Sequence, residues 1–296
     1  MKSIICFGEV LWDVLPAGRK LGGAPLNVSL RAQSFGHNAV MISSIGKDLK
    51  GEELAEEIRA HGGSLGHIQV SEKFDTSEVL VTLDEHGTAS YEIKMPCAWD
   101  AIELLERDIQ AVKGSDAFIY GSLVARNDTS RETLYALLDH AGYKVFDVNL
   151  RPPHYNPERI ISLMKLSDFV KFNDDELYEI CGNLGFKDKT LEAAIAFLAE
   201  QTATRQICVT RGKDGAVLFY HNKFYFNPGY QVMVADTVGA GDSFLASVIS
   251  RLLDGKDPQE AIDFACAVGS IVASKNGANP VVEAGEISSM IESRST

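Results

Sequence analysis

Cysteine is sparse here and follows no metal or disulfide pattern. The five, Cys6, Cys97, Cys181, Cys208 and Cys266, are odd in number and contain no C-x-x-C pair, which argues against a disulfide framework or a zinc site. Reduced, mostly buried thiols are expected instead. The seven histidines show no H-E-x-x-H or similar spacing, so solvated or locally hydrogen-bonded imidazoles are expected rather than a metal cage. No run reaches the ~18 apolar residues that a membrane helix needs. The start, MKSIICFGEVLWDV, has a short apolar run without the long hydrophobic region and cleavage site of a signal peptide. The expectation is a cytoplasmic protein with no membrane partner. Positive charge is in deficit, with 28 Lys and Arg against 41 Asp and Glu and a net charge of −13. That balance favours solubility and disfavours nucleic acid as a partner. Low-complexity segments, long linkers and internal repeats are also missing.

What is present is an ordinary globular composition, 45% hydrophobic and 23% charged over 296 residues, long enough for one large core or two modest ones. Short β-rich runs alternate with amphipathic helices. IICFG is followed by PLNVSLRAQSFG, where Pro25 suits the opening turn, Val28, Ala32 and Phe35 share a face, and Gly36 stops the helix. AVMISSIG and GEELAEEIRAHGG repeat the order, and DAFIYGS, KVFDVNL, DFVKFN and RQICVTRG resume it. This order predicts an α/β fold with a doubly wound, mostly parallel sheet and helices on both faces. The C-terminal third is mostly helical, with Asp257 and Pro258 as an N-cap and N1 pair. Residues 67–95 break the rhythm. They read as alternating strands with a turn around Glu85, His86 and Gly87, a small antiparallel sheet that is either an edge elaboration or a lid.

The stretch ADTVGAGDSF, residues 235–244, places Gly239, Ala240 and Gly241 between two aspartates and before an amphipathic helix. In that helix Phe244, Val248 and Leu252 form one stripe, and Gly255 follows as a stop. Exposed N–H groups feeding a helix N-terminus make an anion site suited to a phosphate and to the charge that develops as it is transferred. A tight structural turn is the alternative. Phe244 occupies the last glycine position of a G-x-G-x-x-G fingerprint, and no G-x-x-x-x-G-K-[ST] occurs. Asp242, beside the loop, suits a general base, and the helix N-terminus is expected to depress its pKa. A plain N-cap is the other role open to it.

DTVGAGDSF resembles the second signature of the ribokinase-like (PfkB) carbohydrate kinases. Four further blocks match in family order: G-G-A-P-x-N in KLGGAPLN with Asp13 upstream, DVNLRP at 147–152, NDDE at 173–176 and VTRGKDGA at 209–216. The resemblance implies one ribokinase-like domain over 1–296, with a small β lid formed mainly by about 10–21 and 67–96. It implies an ATP-dependent kinase acting on a sugar alcohol, with Asp242 as base and Gly239, Ala240 and Gly241 as the anion cradle. Asp13, Gly23 and Asn27 correspond to family positions that hold sugar hydroxyls. Arg151 reaches either nucleotide phosphate or substrate oxygen. Thr210, Gly212 and Gly215 correspond to positions beside the nucleotide, which Asn173 also joins. Asn173 and Glu176 would organise magnesium through water, with a helix cap and first-turn acid as the structural alternative.

Asp236 and Thr237 begin the motif near which family members often bind a monovalent cation. GANPV, however, puts Val281 where the family has a serine, so a potassium requirement stays open. GEVLWDVLP, KLGGAPLN, MPCAWD and FDVNLRP most resemble the fructokinases, which implies transfer to the 6-hydroxyl of fructose. Ribokinase, 2-keto-3-deoxygluconate kinase, nucleoside kinase and a non-catalytic sugar sensor are the alternatives. A homodimer through the lid is a further implied partner.

Overall fold

The computed structural model describes residues 1–15, 18–83, 89–188 and 190–293. The turn expected at Glu85, His86 and Gly87 lies outside the described residues, as do two positions of the 10–21 segment. Along the described chain the strands are β1 (Ser3–Phe7), β2 (Leu11–Leu15), β3 (Gly18–Gly22), β4 (Asn38–Gly46), β5 (Ile68–Ser71), β6 (Ser77–Leu83), β7 (Ala89–Ile93), β8 (Ala117–Gly121), β9 (Lys144–Asp147), β10 (Phe169–Asn173), β11 (Gln206–Thr210), β12 (Ala216–Tyr220) and β13 (Lys223–Asn227). The α-helices are α1 (Ala24–Ser34), α2 (Leu49–Ala60), α3 (Glu106–Lys113), α4 (Asp128–Leu138), α5 (Pro157–Leu166), α6 (Asp174–Asn183), α7 (Leu191–Thr202), α8 (Ala240–Leu253), α9 (Pro258–Ala273) and α10 (Ala284–Glu292).

Nine strands make one sheet in the order β13-β12-β11-β10-β9-β8-β1-β4-β5. It is parallel from β11 to β5, with β12 and β13 added antiparallel at one edge. Strand alternation sends β1 to two cores. Ile4 and Cys6 pack with α1, α2, α8 and α9 on one face, while Ile5 and Phe7 pack with α4, α5, α6 and α7 on the other. Covering both faces is what makes these strands near-continuous apolar runs. All five cysteines are buried and free. Among the described residues no helix is long and apolar enough to cross a membrane.

The chain leaves β1 for β4 on one side and later returns to β8 on the other. Between β1 and β8 the order reverses, and ligands of doubly wound sheets bind outside the strand C-termini at such a point.

The irregular segment departs from the sequence expectation in two ways. β5 does not join a separate sheet; it pairs parallel with β4 at the edge of the main one. The smaller sheet has the order β3-β2-β6-β7 and is mixed, because β6 runs parallel to β2 and antiparallel to β7. Its strands β2 and β3 come from before α1, and Trp12 lies within this sheet.

Candidate active site

One row crosses all four strands of the smaller sheet: Lys20 opposite Asp13, Asp13 opposite Val79, and Val79 opposite Ile93. All four residues line a cleft of about 420 Å³ whose other wall is built by residues at or just beyond the C-terminal ends of β1, β8, β9, β10 and β11 and by the turn into α8. Leu11, Asp13 and Leu15 alternate into it along β2, as the two-residue period of a strand requires. A second, more apolar cleft of about 350 Å³ adjoins it and shares Asn173, Thr210, Thr237 and Gly241.

The structure gathers the sequence-predicted residues on these two clefts. Asp13, Gly23, Asn27, Arg151, Asn173, Glu176, Thr210, Asp236, Thr237, Gly239, Gly241 and Asp242 line the polar one. Gly212, Gly215 and Ala240 line the apolar one, where the turn Gly212–Asp214 precedes β12.

The glycine stretch is not a loop ahead of the helix. Gly239 is the N-cap of α8, with φ of 76°, and the helix begins at Ala240. A Cβ on Gly239 would stand 2.5 Å from the Cα and carbonyl oxygen of Ala278, so both the backbone conformation and the close approach demand glycine. Asp242 therefore sits in the first helical turn rather than at the cap. Its Oδ2 accepts from Asn27 Nδ2 at 2.8 Å, and Asn27 Oδ1 accepts from Asn279 Nδ2 at 2.7 Å. Arg31, buried in α1, donates to Ser243 Oγ at 3.1 Å and to the Pro280 carbonyl at 2.9 Å. The α1 helix is thereby tied to the turn that carries Asp242.

The expected fall in the Asp242 pKa is reversed. Burial, and then the charge of Asp147, push it up from 3.8 to about 6, against the Asn27 hydrogen bond, Lys171 and Arg151. Desolvation outweighs the favourable helix end because the carboxylate lies between protein layers and shares the cleft with other acids. Asp13 is likewise raised to about 6, by burial and by Asp242, with Arg151 and Lys20 opposing.

Asn173 and Glu176 form a reciprocal capping box: Asn173 Oδ1 accepts the Glu176 N–H at 2.8 Å, and Glu176 Oε2 accepts the Asn173 N–H at 2.9 Å. Glu176 Oε1 also accepts the Leu150 N–H at 2.7 Å, joining α6 to the loop after β9. Each carboxylate oxygen keeps a second lone pair, and Glu176 lines the cleft. This donor set fits the water shell of a hydrated magnesium ion, which takes few direct protein ligands.

The residues named for a monovalent cation fit less well. Asp236 Oδ1 and Oδ2 accept the Val238 and Gly277 N–H groups at 3.0 and 3.1 Å. The Lys20 ammonium stands 3.5 Å from Oδ2, and the Val281 side chain offers no oxygen.

Sequence reasoning missed Lys171. It lies in the apolar run of β10, is 7% exposed, and its Nζ is 3.0 Å from Asp147 Oδ1. Burial alone would lower its pKa, but Asp147, Glu176 and Asp242 outweigh burial and raise it. A Cβ on Gly241 would stand 3.4 Å from Nζ, which puts this fixed cation over the first turn of α8. A lysine between valine and phenylalanine in a predicted parallel strand is the available signal, since a buried charge needs a partner. Asn149, with φ of 40°, also lines the cleft, and such backbone strain gathers at functional sites.

The profile of the pfkB family carbohydrate kinases matches residues 2–284. The chain belongs to this family. Its sequence is 26% identical to a fructokinase of Salmonella typhimurium over 291 residues, 92% of this chain and 93% of that protein. The fold superposes on a Xylella fastidiosa fructokinase solved with bound ATP with a TM-score of 0.84, 22% identity and full coverage of both chains. A Vibrio cholerae O395 fructokinase solved with fructose, ADP and calcium gives a TM-score of 0.82 at 22% identity, covering 98% of this chain and 99% of that one. This PfkB protein is a sugar kinase, a phosphotransferase with an alcohol group as acceptor.

Proposed function

We propose that the protein transfers the γ-phosphoryl group of ATP to the 6-hydroxyl of fructose. One observation carries this reading. The Asp242 carboxylate and the glycine-capped start of α8 stand where a polar cleft meets an apolar one. The polar cleft, with Asp13, Asn27 and the backbone near Gly23, suits a polyol. The apolar cleft, bounded by Phe244, Cys266 and the turn at Gly212 and Gly215, suits a nucleotide base and ribose.

In this arrangement Asp242 accepts the proton of the acceptor hydroxyl as its oxygen bonds to the γ-phosphorus. The bond from that phosphorus to the β–γ bridging oxygen breaks, and its electron pair leaves with ADP. The N–H groups at Gly239 and Gly241, at the start of α8, and the Lys171 ammonium stabilise the charge on the transferring group, while the Ala240 N–H is held by the Thr237 carbonyl at 3.2 Å. Asn27 holds Asp242 toward the acceptor, and Asp147 holds Lys171 toward the phosphate. Glu176 and Asn173 would hold magnesium through its water shell, where the ion would supply positive charge to offset the negative charge of the nucleotide phosphates. The smaller sheet acts as a lid: its Lys20–Asp13–Val79–Ile93 row covers the acceptor, and closure keeps out water that would otherwise take the phosphoryl group.

Support for fructose comes from the fructokinase relatives. Arg151 keeps a carboxylate-bearing acceptor in competition. A coupled assay of ADP release with fructose, ribose, 2-keto-3-deoxygluconate, tagatose and adenosine ranks the acceptors. Fructose is expected to give the highest kcat/KM. A tenfold preference for another acceptor would move the assignment within the family.

A further inference from the structure

Glu9 has no role in the chemistry above, yet the cleft is built around it. It lies in the short connection between β1 and β2, at the point where the strand order reverses, and it lines the polar cleft while only 3% exposed. Its Oε2 is buried and has no hydrogen-bond partner among the described residues. Leaving a buried acceptor unpaired costs about 1–3 kcal/mol, more when it is charged. Glu176, the neighbouring buried acid of the cleft, avoids that cost by accepting a backbone N–H on each oxygen; Asp147 also leaves its buried Oδ2 unpaired, but its Oδ1 is held by the Lys171 ammonium at 3.0 Å.

The backbone at Glu9 is also pinned by the segment proposed to bind the sugar. A Cβ on Gly23 would stand 2.4 Å from the Glu9 carbonyl oxygen, and one on Gly8 would stand 2.8 Å from the ring of Pro25. Only the paired glycines let the start of α1 approach this closely, so Glu9, Gly23 and Asn27 are fixed relative to one another. Burial pushes the Glu9 carboxyl up to about 7; its own backbone N–H and Arg151 oppose the rise, and Asp242 and Asp147 add to it. Such an acid is costly to keep unless a ligand completes it.

We propose that Glu9 is a further sugar-binding side chain, whose Oε2 accepts the hydrogen bond of one hydroxyl of the acceptor and makes the enzyme select for that hydroxyl. The inference rests on the sugar-kinase reading. It adds a discriminating contact beside Asp13 and Asn27, since a site built to bond a hydroxyl rejects the analogue lacking it by leaving a buried group unpaired.

The test compares kcat/KM for fructose and its 1-, 3- and 4-deoxy analogues in the wild type, Glu9→Gln and Glu9→Leu. In the wild type one analogue is expected to lose about ten- to a hundredfold, the range of a hydrogen bond to a charged group. In Glu9→Leu, fructose should fall by a similar factor while that same analogue loses little more, and the KM for ATP should stay unchanged. Glu9→Gln, which keeps an acceptor oxygen, should fall between the two and serves if the leucine variant does not fold. Equal losses on fructose and every analogue would make Glu9 a structural residue and overturn the proposal. So would a wild type that treats all analogues within about threefold of fructose. Calorimetric titration of fructose without nucleotide separates the two readings. Glu9-dependent binding without any ADP release would break the kinase reading alone, whereas turnover with Glu9-independent binding would break this one.

Discussion

Replacing Asp242 by asparagine should abolish most activity and at the same time make the ligand-free protein more stable at neutral pH. The carboxyl holds its proton more tightly in the folded chain, with a pKa raised from 3.8 to about 6. Its contribution to stability is therefore fully present below pH 3.8 and is lost as the pH rises through about 6. Above that, the ionised group costs the fold about 3 kcal/mol, at 1.36 kcal/mol for each tenfold change in proton affinity. Asparagine is never charged, and its side-chain oxygen can still accept from Asn27 Nδ2. At about 2 °C per kcal/mol for a chain of this size, the variant should melt about 6 °C above the wild type at pH 8. The gain should shrink to about half by pH 5 and vanish near pH 3.5. Turnover should fall by about 10²- to 10⁴-fold, the usual worth of a general base. Thermal melts from pH 3.5 to 8, alongside a coupled ADP assay, read both effects. A variant less stable than the wild type at pH 8, or one that retains near-normal turnover, would refute the reasoning.

Two further outcomes follow from the same geometry. Glu176→Gln should shift the magnesium dependence of turnover to higher concentration, because a neutral amide attracts the hydrated ion less strongly; lower activity with an unchanged magnesium curve would leave Glu176 a capping residue only. Fructose alone should change the tryptophan emission saturably through Trp12, which lies in the smaller sheet with its indole N–H donating to the Lys50 carbonyl at 3.0 Å. Trp99 is fully buried with the Arg126 guanidinium 4.0 Å from its ring centroid, so Trp12→Phe should remove most of the signal and Trp99→Phe little of it. A flat titration at concentrations that support full turnover would argue against a moving lid.

The sequence made the alternating frame legible because its signals are local. Pro25 and Gly36 bound α1, Asp257 and Pro258 open α9, and apolar runs mark β8 to β11. Pairing partners are not local. That β5 joins β4 and that β2 runs parallel to β6 depends on contacts far apart in the chain, which hydrophobic alternation does not encode. The glycine stretch pointed to the correct site, but helix periodicity placed the start of α8 after Asp242 because Gly241 and Ala240 carry no amphipathic signal. The pKa of Asp242 was misjudged for a related reason. The helix end is visible from neighbouring residues, whereas the burial and the acid Asp147 that outweigh it come from other strands. Lys171, Asp147 and Glu9 escaped notice because each is interpretable only through a partner, or the lack of one, across the sheet.

The most direct test of the central claim is the structure of the product formed from fructose and ATP, read by phosphorus–proton correlation NMR. The account predicts a single monoester with phosphorus coupled to the protons on carbon 6, appearing in step with ADP. Phosphorus coupled to carbon 1, or ADP release without any sugar phosphate, would contradict the acceptor geometry proposed for Asp242.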